Sequence, residues 1–230
     1  MGTILVTGAN RGIGLEFACQ YAEAGENVIA TCRDLAVANA LHHLRDSHPT
    51  VELQEMDACD DVSILSLASL IRKRGGSIDV LINNAGVLHD EPFGDFTMSA
   101  FNRTFSTNVT GPALVTQTMC GVMRPESKIV NISSGIGSFE LAIDLGGETI
   151  SYAASKAALN MVTVHCAEAL REKGIIVVAL SPGWVRTDMG GQEAELDVQE
   201  SVSTLRAAIA KLHLECSGKF FDHNGEELPW

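Results

Sequence analysis

Short runs rich in β-branched residues alternate with longer stretches of helical period along most of the chain, and this alternation restricts the fold more than any other feature. The runs at Thr3 to Thr7, Asn27 to Thr31, Val51 to Met56, Ile78 to Ile82, Lys128 to Ile132, Ile175 to Leu180 and Lys219 to Phe221 read as strands. Some of them, such as Val80-Leu81-Ile82 and Ile175 to Leu180, are continuously apolar, as strands covered on both faces must be. Right-handed crossovers between successive strands then place helices on both sides of the sheet. The expected architecture is α/β: a single-domain Rossmann fold over residues 1–230, with a doubly wound, seven-stranded, mostly parallel sheet. At 230 residues and 46% hydrophobic content, one such domain buries roughly 70% of the surface of its unfolded chain.

Composition excludes several functions. A formal net charge of −13 argues against nucleic-acid binding, which needs clustered Lys and Arg to displace counterions from phosphates. Every apolar run is interrupted before the roughly 18 residues of a membrane span, so no membrane association is expected. Met1 leads directly into the strand-like ILVTG without a basic leader or apolar signal core, which points to the cytoplasm. The six cysteines form no CxxC pair and read as reduced structural thiols. The seven histidines are dispersed, and no metal is expected.

The first strand runs into Thr7-Gly8-Ala9-Asn10-Arg11-Gly12-Ile13-Gly14 and then into a helical segment. In a dinucleotide-binding turn, Gly8 makes the tight bend, Gly12 lets the backbone approach a pyrophosphate, and Gly14 permits close helix packing. The amides and dipole of the helix start favour the anion, so Gly8, Asn10, Arg11, Gly12, Ile13 and Gly14 are candidate cofactor contacts. The second strand ends at Cys32-Arg33 rather than in the acid that binds the 2′-hydroxyl of NAD. Arg33 and Arg11 flank the same position as two cations for a 2′-phosphate, which predicts NADPH over NADH.

Tyr152 and Lys156 stand four apart in a segment of strong helix formers and so share a face. A free tyrosine titrates near pH 10, so acid/base work near neutrality needs a shift of roughly three units, which a neighbouring ammonium and a cationic nicotinamide could supply. The same spacing also describes an ordinary surface pair worth a few tenths of a kcal/mol. The fifth strand, however, ends in Asn131-Ile132-Ser133-Ser134, which brings hydroxyls to the same sheet edge. Ser133 reads as lining the strand end and Ser134 as orienting a substrate oxygen.

These motifs, together with Asp57 after the third strand, NNAG at 83–86, Asn108 in TNVTGP, YAASK at 152–156 and SPGWVRTDM at 181–189, resemble the classical short-chain dehydrogenase/reductase family. The resemblance runs over essentially the whole chain. It implies that Asp57 and Ala58 border the adenine, that Asn84, Ala85 and Gly86 pass beneath the adenosine ribose, and that Pro182, Gly183, Val185 and Thr187 cover the nicotinamide amide. It implies a catalytic tetrad of Asn108, Ser134, Tyr152 and Lys156, with Tyr152 and Lys156 also touching the cofactor and Asn108 holding a water that leads from Lys156. Details around SKAALNM and WVRTDMGG are similar to the C-factor and sniffer-type carbonyl reductase branch. That likeness implies reduction of a small ketone, aldehyde or quinone by a homodimer or homotetramer. It also raises a second role, in which NAD(P) binding regulates a signalling partner. Substrate choice is expected to depend on Val87 to Asp95, Gly135 to Ile150 and Asp188 to Asp197.

Overall fold

Seven strands form one sheet in the order β3-β2-β1-β4-β5-β6-β7, and every pairing between neighbours is parallel. The strands are β1 (Thr3–Val6), β2 (Asn27–Cys32), β3 (Val51–Glu55), β4 (Ile78–Asn83), β5 (Met123–Ile132), β6 (Ile176–Leu180) and β7 (Phe220–Phe221). The helices are α1 (Gly12–Glu23), α2 (Asn39–Ser47), α3 (Asp61–Lys73), α4 (Met98–Phe105), α5 (Gly111–Met119), α6 (Ile150–Leu170) and α7 (Val198–Lys211). The computed structural model describes residues 2–89, 92–144 and 149–230. Positions 90–91 and 145–148, within two of the substrate loops expected above, lie outside the described residues.

The period-two alternation of each strand divides the core. Ile4, Val6, Val28, Ala30, Val178 and Leu180 face α1, α2 and α7, where Phe17, Leu41 and Leu205 meet them. Leu5, Ile29, Leu81, Ile129 and Val177 face the other way, onto Ile64 of α3, Met119 of α5 and Leu170 of α6. Strand order reverses at β1 and β4, which opens a crevice above their carboxyl ends.

Polar side chains fix where the helices start and stop. Asp60, Thr97 and Asp197 accept hydrogen bonds from backbone amides at the first turns of α3, α4 and α7. At the other end of α7, Lys128 Nζ donates to the carbonyls of Ile209 (2.7 Å) and Ala210 (3.1 Å). The start of α1 at Arg11 has no side-chain cap, which leaves the helix dipole and first-turn amides to a ligand at the crevice.

Two segments differ from the periodic pattern. β5 begins at Met123 rather than Lys128, because Met123 pairs with Ile78 across a register shift despite the intervening Pro125. Ser127 bridges that irregularity, donating to Ile78 O (3.0 Å) and accepting from Arg124 N (3.1 Å). α4 passes into α5 through a π-turn at Ser106–Thr110, the kind of insertion often found beside functional sites. No helix among the described residues is long and apolar enough to cross a membrane.

Phe17 is fully buried and stacks on Tyr21 at 6.3 Å, joining α1 to the sheet. Phe17→Ala is expected to lower the unfolding free energy by about 3–5 kcal/mol, measured by urea denaturation. A change below about 1 kcal/mol would show that this side of the core does not rest on that ring.

Candidate active site

The crevice is one continuous cavity of about 600 Å³. At one end lies the β1–α1 turn. Gly8 and Gly12 hold φ of 63° and 55°, values that a Cβ disfavours. A Cβ on Gly8 would lie 2.9 Å from Ala85 Cα, and one on Gly14 would strike the Gly8 carbonyl oxygen at 2.5 Å. The turn and the segment after β4 are interlocked by hydrogen bonds as well. Asn84 Nδ2 donates to the carbonyls of Thr7 (2.9 Å) and Gly8 (3.1 Å), and Thr7 Oγ1 accepts from the amides of Asn84 and Ala85 at 3.0 Å each.

Asn10, Arg11, Gly12 and Ile13 line this end of the cavity, as do Arg33, Asp57, Ala58 and Asn84 to Gly86. Gly14 lies behind the wall, packed against the turn itself. The tip of β2 is Cys32, and the nearby Asp34 turns its carboxylate onto its own loop, accepting from Ala36 N at 2.8 Å. Arg33 makes no ion pair among the described residues. Arg11 pairs with Asp188 at 3.0 Å across the cavity mouth. Both partners are largely exposed, so the pair contributes little stability and opens readily to another anion.

At the other end, Ser134, Tyr152 and Lys156 face the same cavity, with Pro182, Gly183, Val185 and Thr187 closing it. Lys156 Nζ donates to Ile132 O at 2.7 Å and lies 5.4 Å from the centre of the Tyr152 ring. Burial pushes the ammonium down to about 8. Burial pushes the Tyr152 phenol up to about 12, with the Ser134 hydroxyl acting in the opposite direction. The shift toward neutrality expected of Tyr152 is therefore absent in the protein alone. The Lys156 ammonium is spent on a carbonyl rather than directed at the phenol oxygen, so desolvation dominates.

Asn108 sits within the π-turn and does not reach the cavity. Its Oδ1 accepts from Val87 N (2.8 Å), and its Nδ2 donates to Val87 O (2.8 Å) and Ser155 Oγ (3.0 Å). It thereby ties the segment after β4 to α6, one residue from Lys156. The cavity wall also contains Thr7, Cys59, Thr107, Trp184 and Met189, which the motifs did not single out. Thr7, Thr107, Trp184 and Met189 stand inside quoted motifs. Cys59 is brought in only by packing beside the π-turn, where its Sγ lies 3.6 Å from Thr107 Oγ1. Among the described residues no group of three or more His, Cys, Asp or Glu side chains could hold a metal ion.

The short chain dehydrogenase family model matches residues 2–197, a span that contains the glycine turn, Ser134 and the Tyr152–Lys156 pair. The chain belongs to the short-chain dehydrogenase family. This short-chain dehydrogenase is 42% identical over 158 residues to the C-signal protein of Myxococcus xanthus, covering 67% of the chain and 94% of that protein. Its structure is similar to the NADPH-bound carbonyl reductase from chicken fatty liver, with a TM-score of 0.94, 34% identity, and 100% and 99% of the two chains covered. It is also similar to the carbonyl reductase Sniffer of D. melanogaster, with a TM-score of 0.93, 30% identity and full coverage of both chains. Within this short-chain dehydrogenase, α7 and β7 follow the matched span and complete the sheet.

The buried ammonium has a consequence for stability. Between pH 8 and 10.5 the unfolded chain binds the Lys156 proton more tightly than the folded chain does, so this contribution is full above 10.5 and lost as the pH falls toward 8. Tyr152 works in the opposite sense, its contribution being full below pH 10 and lost as the pH rises through about 12. Relative to Lys156→Met, the wild-type chain should gain up to ~3 kcal/mol of unfolding free energy across the lysine window, read by urea denaturation at stepped pH. Parallel curves for the two proteins would mean that the ammonium is not desolvated.

Proposed function

We propose that this oxidoreductase reduces the carbonyl group of a small ketone, aldehyde or quinone with NADPH. The observation that carries the reading is that Ser134, Tyr152 and Lys156 open into the same cavity that the uncapped, glycine-rich start of α1 closes. The cavity fits a dinucleotide: the turn is too tight for side chains at Gly8 and Gly14, and amides without a side-chain cap sit at its floor. Arg11 and Arg33 would hold a 2′-phosphate, Asp57 and Ala58 the adenine side, Asn84 to Gly86 the adenosine ribose, and Pro182 to Thr187 the nicotinamide amide. The similarity to the NADPH-bound chicken enzyme supports that choice of cofactor.

A reduced nicotinamide, when bound, supplies the hydride. Tyr152 supplies the proton to the carbonyl oxygen. The phenol is protonated at neutral pH, as the proton donor of a reduction has to be. Burial weakens it as an acid, so proton transfer relies on the Lys156 cation and the positive charge that develops on the nicotinamide as hydride leaves. Ser134 donates a hydrogen bond to the same oxygen and steadies the charge developing there. Lys156 places a cation beneath the tyrosine ring and would hold the nicotinamide ribose. Asn108 holds the turn beside Lys156 in register through Val87 and Ser155.

A second reading comes from the likeness to the C-signal protein: NADPH binding regulates recognition of a protein partner. It requires the cavity but not the tyrosine hydroxyl.

Tyr152→Phe should cost about 10²- to 10⁴-fold in kcat while NADPH binding by fluorescence titration is retained. Tight NADPH binding without turnover of any quinone, diketone or aldehyde would shift the weight to the signalling reading. Arg33→Ala should raise the KM for NADPH by about tenfold or more and leave that for NADH nearly unchanged. Equal losses for the two cofactors would remove Arg33 from 2′-phosphate recognition.

A further inference from the structure

Tyr152, Lys156 and Asn160 follow one another at intervals of four on α6 and occupy a single face of that helix. The first two reach the cavity. Asn160 does not, being 3% exposed beneath it. Its carboxamide is divided between the two ends of the segment that carries Ser134. Ser133 Oγ donates to Asn160 Oδ1 at 2.6 Å, and Asn160 Nδ2 donates to Gly137 O at 3.2 Å.

Satisfying a buried amide does not by itself require this arrangement, because the helix is already bound to the sheet elsewhere. Asn131 Nδ2 donates to Thr163 Oγ1 at 2.8 Å and its Oδ1 accepts from Asn83 Nδ2 at 2.8 Å, joining β4, β5 and α6. The bonds of Asn160 go to the stretch that leaves the sheet. That stretch also lies directly on the helix: a Cβ at Gly137 would stand 2.8 Å from Lys156 Cβ and from the Lys156 carbonyl carbon. Between its two anchors the turn is tied outward from Gly135 N to Ser181 Oγ at 3.2 Å, and within itself from Ile136 N to Ser134 Oγ at 3.4 Å and from Gly137 N to Ser134 O at 2.9 Å.

We infer that Asn160 is a positioning residue, which clamps Ser133 and Gly137 and thereby sets the Ser134 hydroxyl relative to Tyr152 on the same helix face. The inference rests on the carbonyl-reductase reading above. A side chain that acts only by placing Ser134 has nothing left to place once that hydroxyl is gone. The two substitutions must therefore couple.

The experiment is a double-mutant cycle of Asn160→Leu and Ser134→Ala, with phenanthrenequinone as substrate and NADPH as reductant. Asn160→Leu keeps the branched shape while removing both hydrogen bonds, and should lower kcat by about tenfold to a hundredfold, with the Kd for NADPH within about twofold of wild type. In the Ser134→Ala background it should lower kcat by no more than about twofold further. Ser133→Ala, which removes one half of the clamp, should show part of the loss and the same coupling. Should Asn160→Leu not fold, the Ser133→Ala cycle decides by the same criterion. Additive losses, an unchanged kcat, or a parallel loss of NADPH affinity would overturn the inference while leaving the reductase reading in place. A wild-type chain with no turnover, or a fully active Tyr152→Phe, would overturn both.

Discussion

A parallel sheet must bury both of its faces, and most of this structure follows from that requirement. Leu5 and Val6 are adjacent in β1 yet belong to opposite cores, and neither is exposed. With apolar residues filling β1, β2 and β6, polar chemistry is pushed to the strand ends. The carboxyl ends are where the chain turns out of the sheet and its hydroxyls, amides and charges meet. The cavity is the gap left where strand order reverses.

The price of placing chemistry there is desolvation. Lys156 and Tyr152 are shifted away from neutrality in opposite directions for the same reason, since burial disfavours both the ammonium and the phenolate. In the protein alone the pair rests as a protonated phenol beside an ammonium spent on the Ile132 carbonyl. This state carries the proton that the proposed reduction has to deliver, and lowering the phenol toward neutrality is left to the charge that a bound cofactor brings.

Rigidity around the site comes from carboxamides set between distant segments. Asn84 locks the glycine turn, Asn108 locks the π-turn, Asn131 joins β5 to α6, and Asn160 holds the serine turn. Each carboxamide joins two segments distant in sequence; Asn84 does so from the cavity wall, and Asn108, Asn131 and Asn160 from behind it. Such bonds are strong in a low-dielectric interior and costly to break singly. They suit a constellation whose geometry has to be held without help from the ligand.

Much of this was legible in the chain. Short β-branched runs and stretches of helical period are local consequences of strand and helix geometry and placed all seven strands and the helices between them, while the spacing of Gly8, Gly12 and Gly14 placed the glycine turn. Tyr152 and Lys156 were legible for the same reason, since an interval of four is a property of one helix. The start of β5 was not, because Pro125 signals a break locally while the pairing of Met123 with Ile78 is made across the sheet. Nor was the work of Asn108 and Asn160, whose hydrogen-bond partners lie 21 to 47 residues away in sequence. The sequence by itself determined the layers, the edge on which the site lies and the residue types available there. Only the tertiary structure decided which side chains enter the cavity, which stand behind it and in which direction their proton equilibria move. Contacts between distant segments and the exclusion of water arise only when the layers pack.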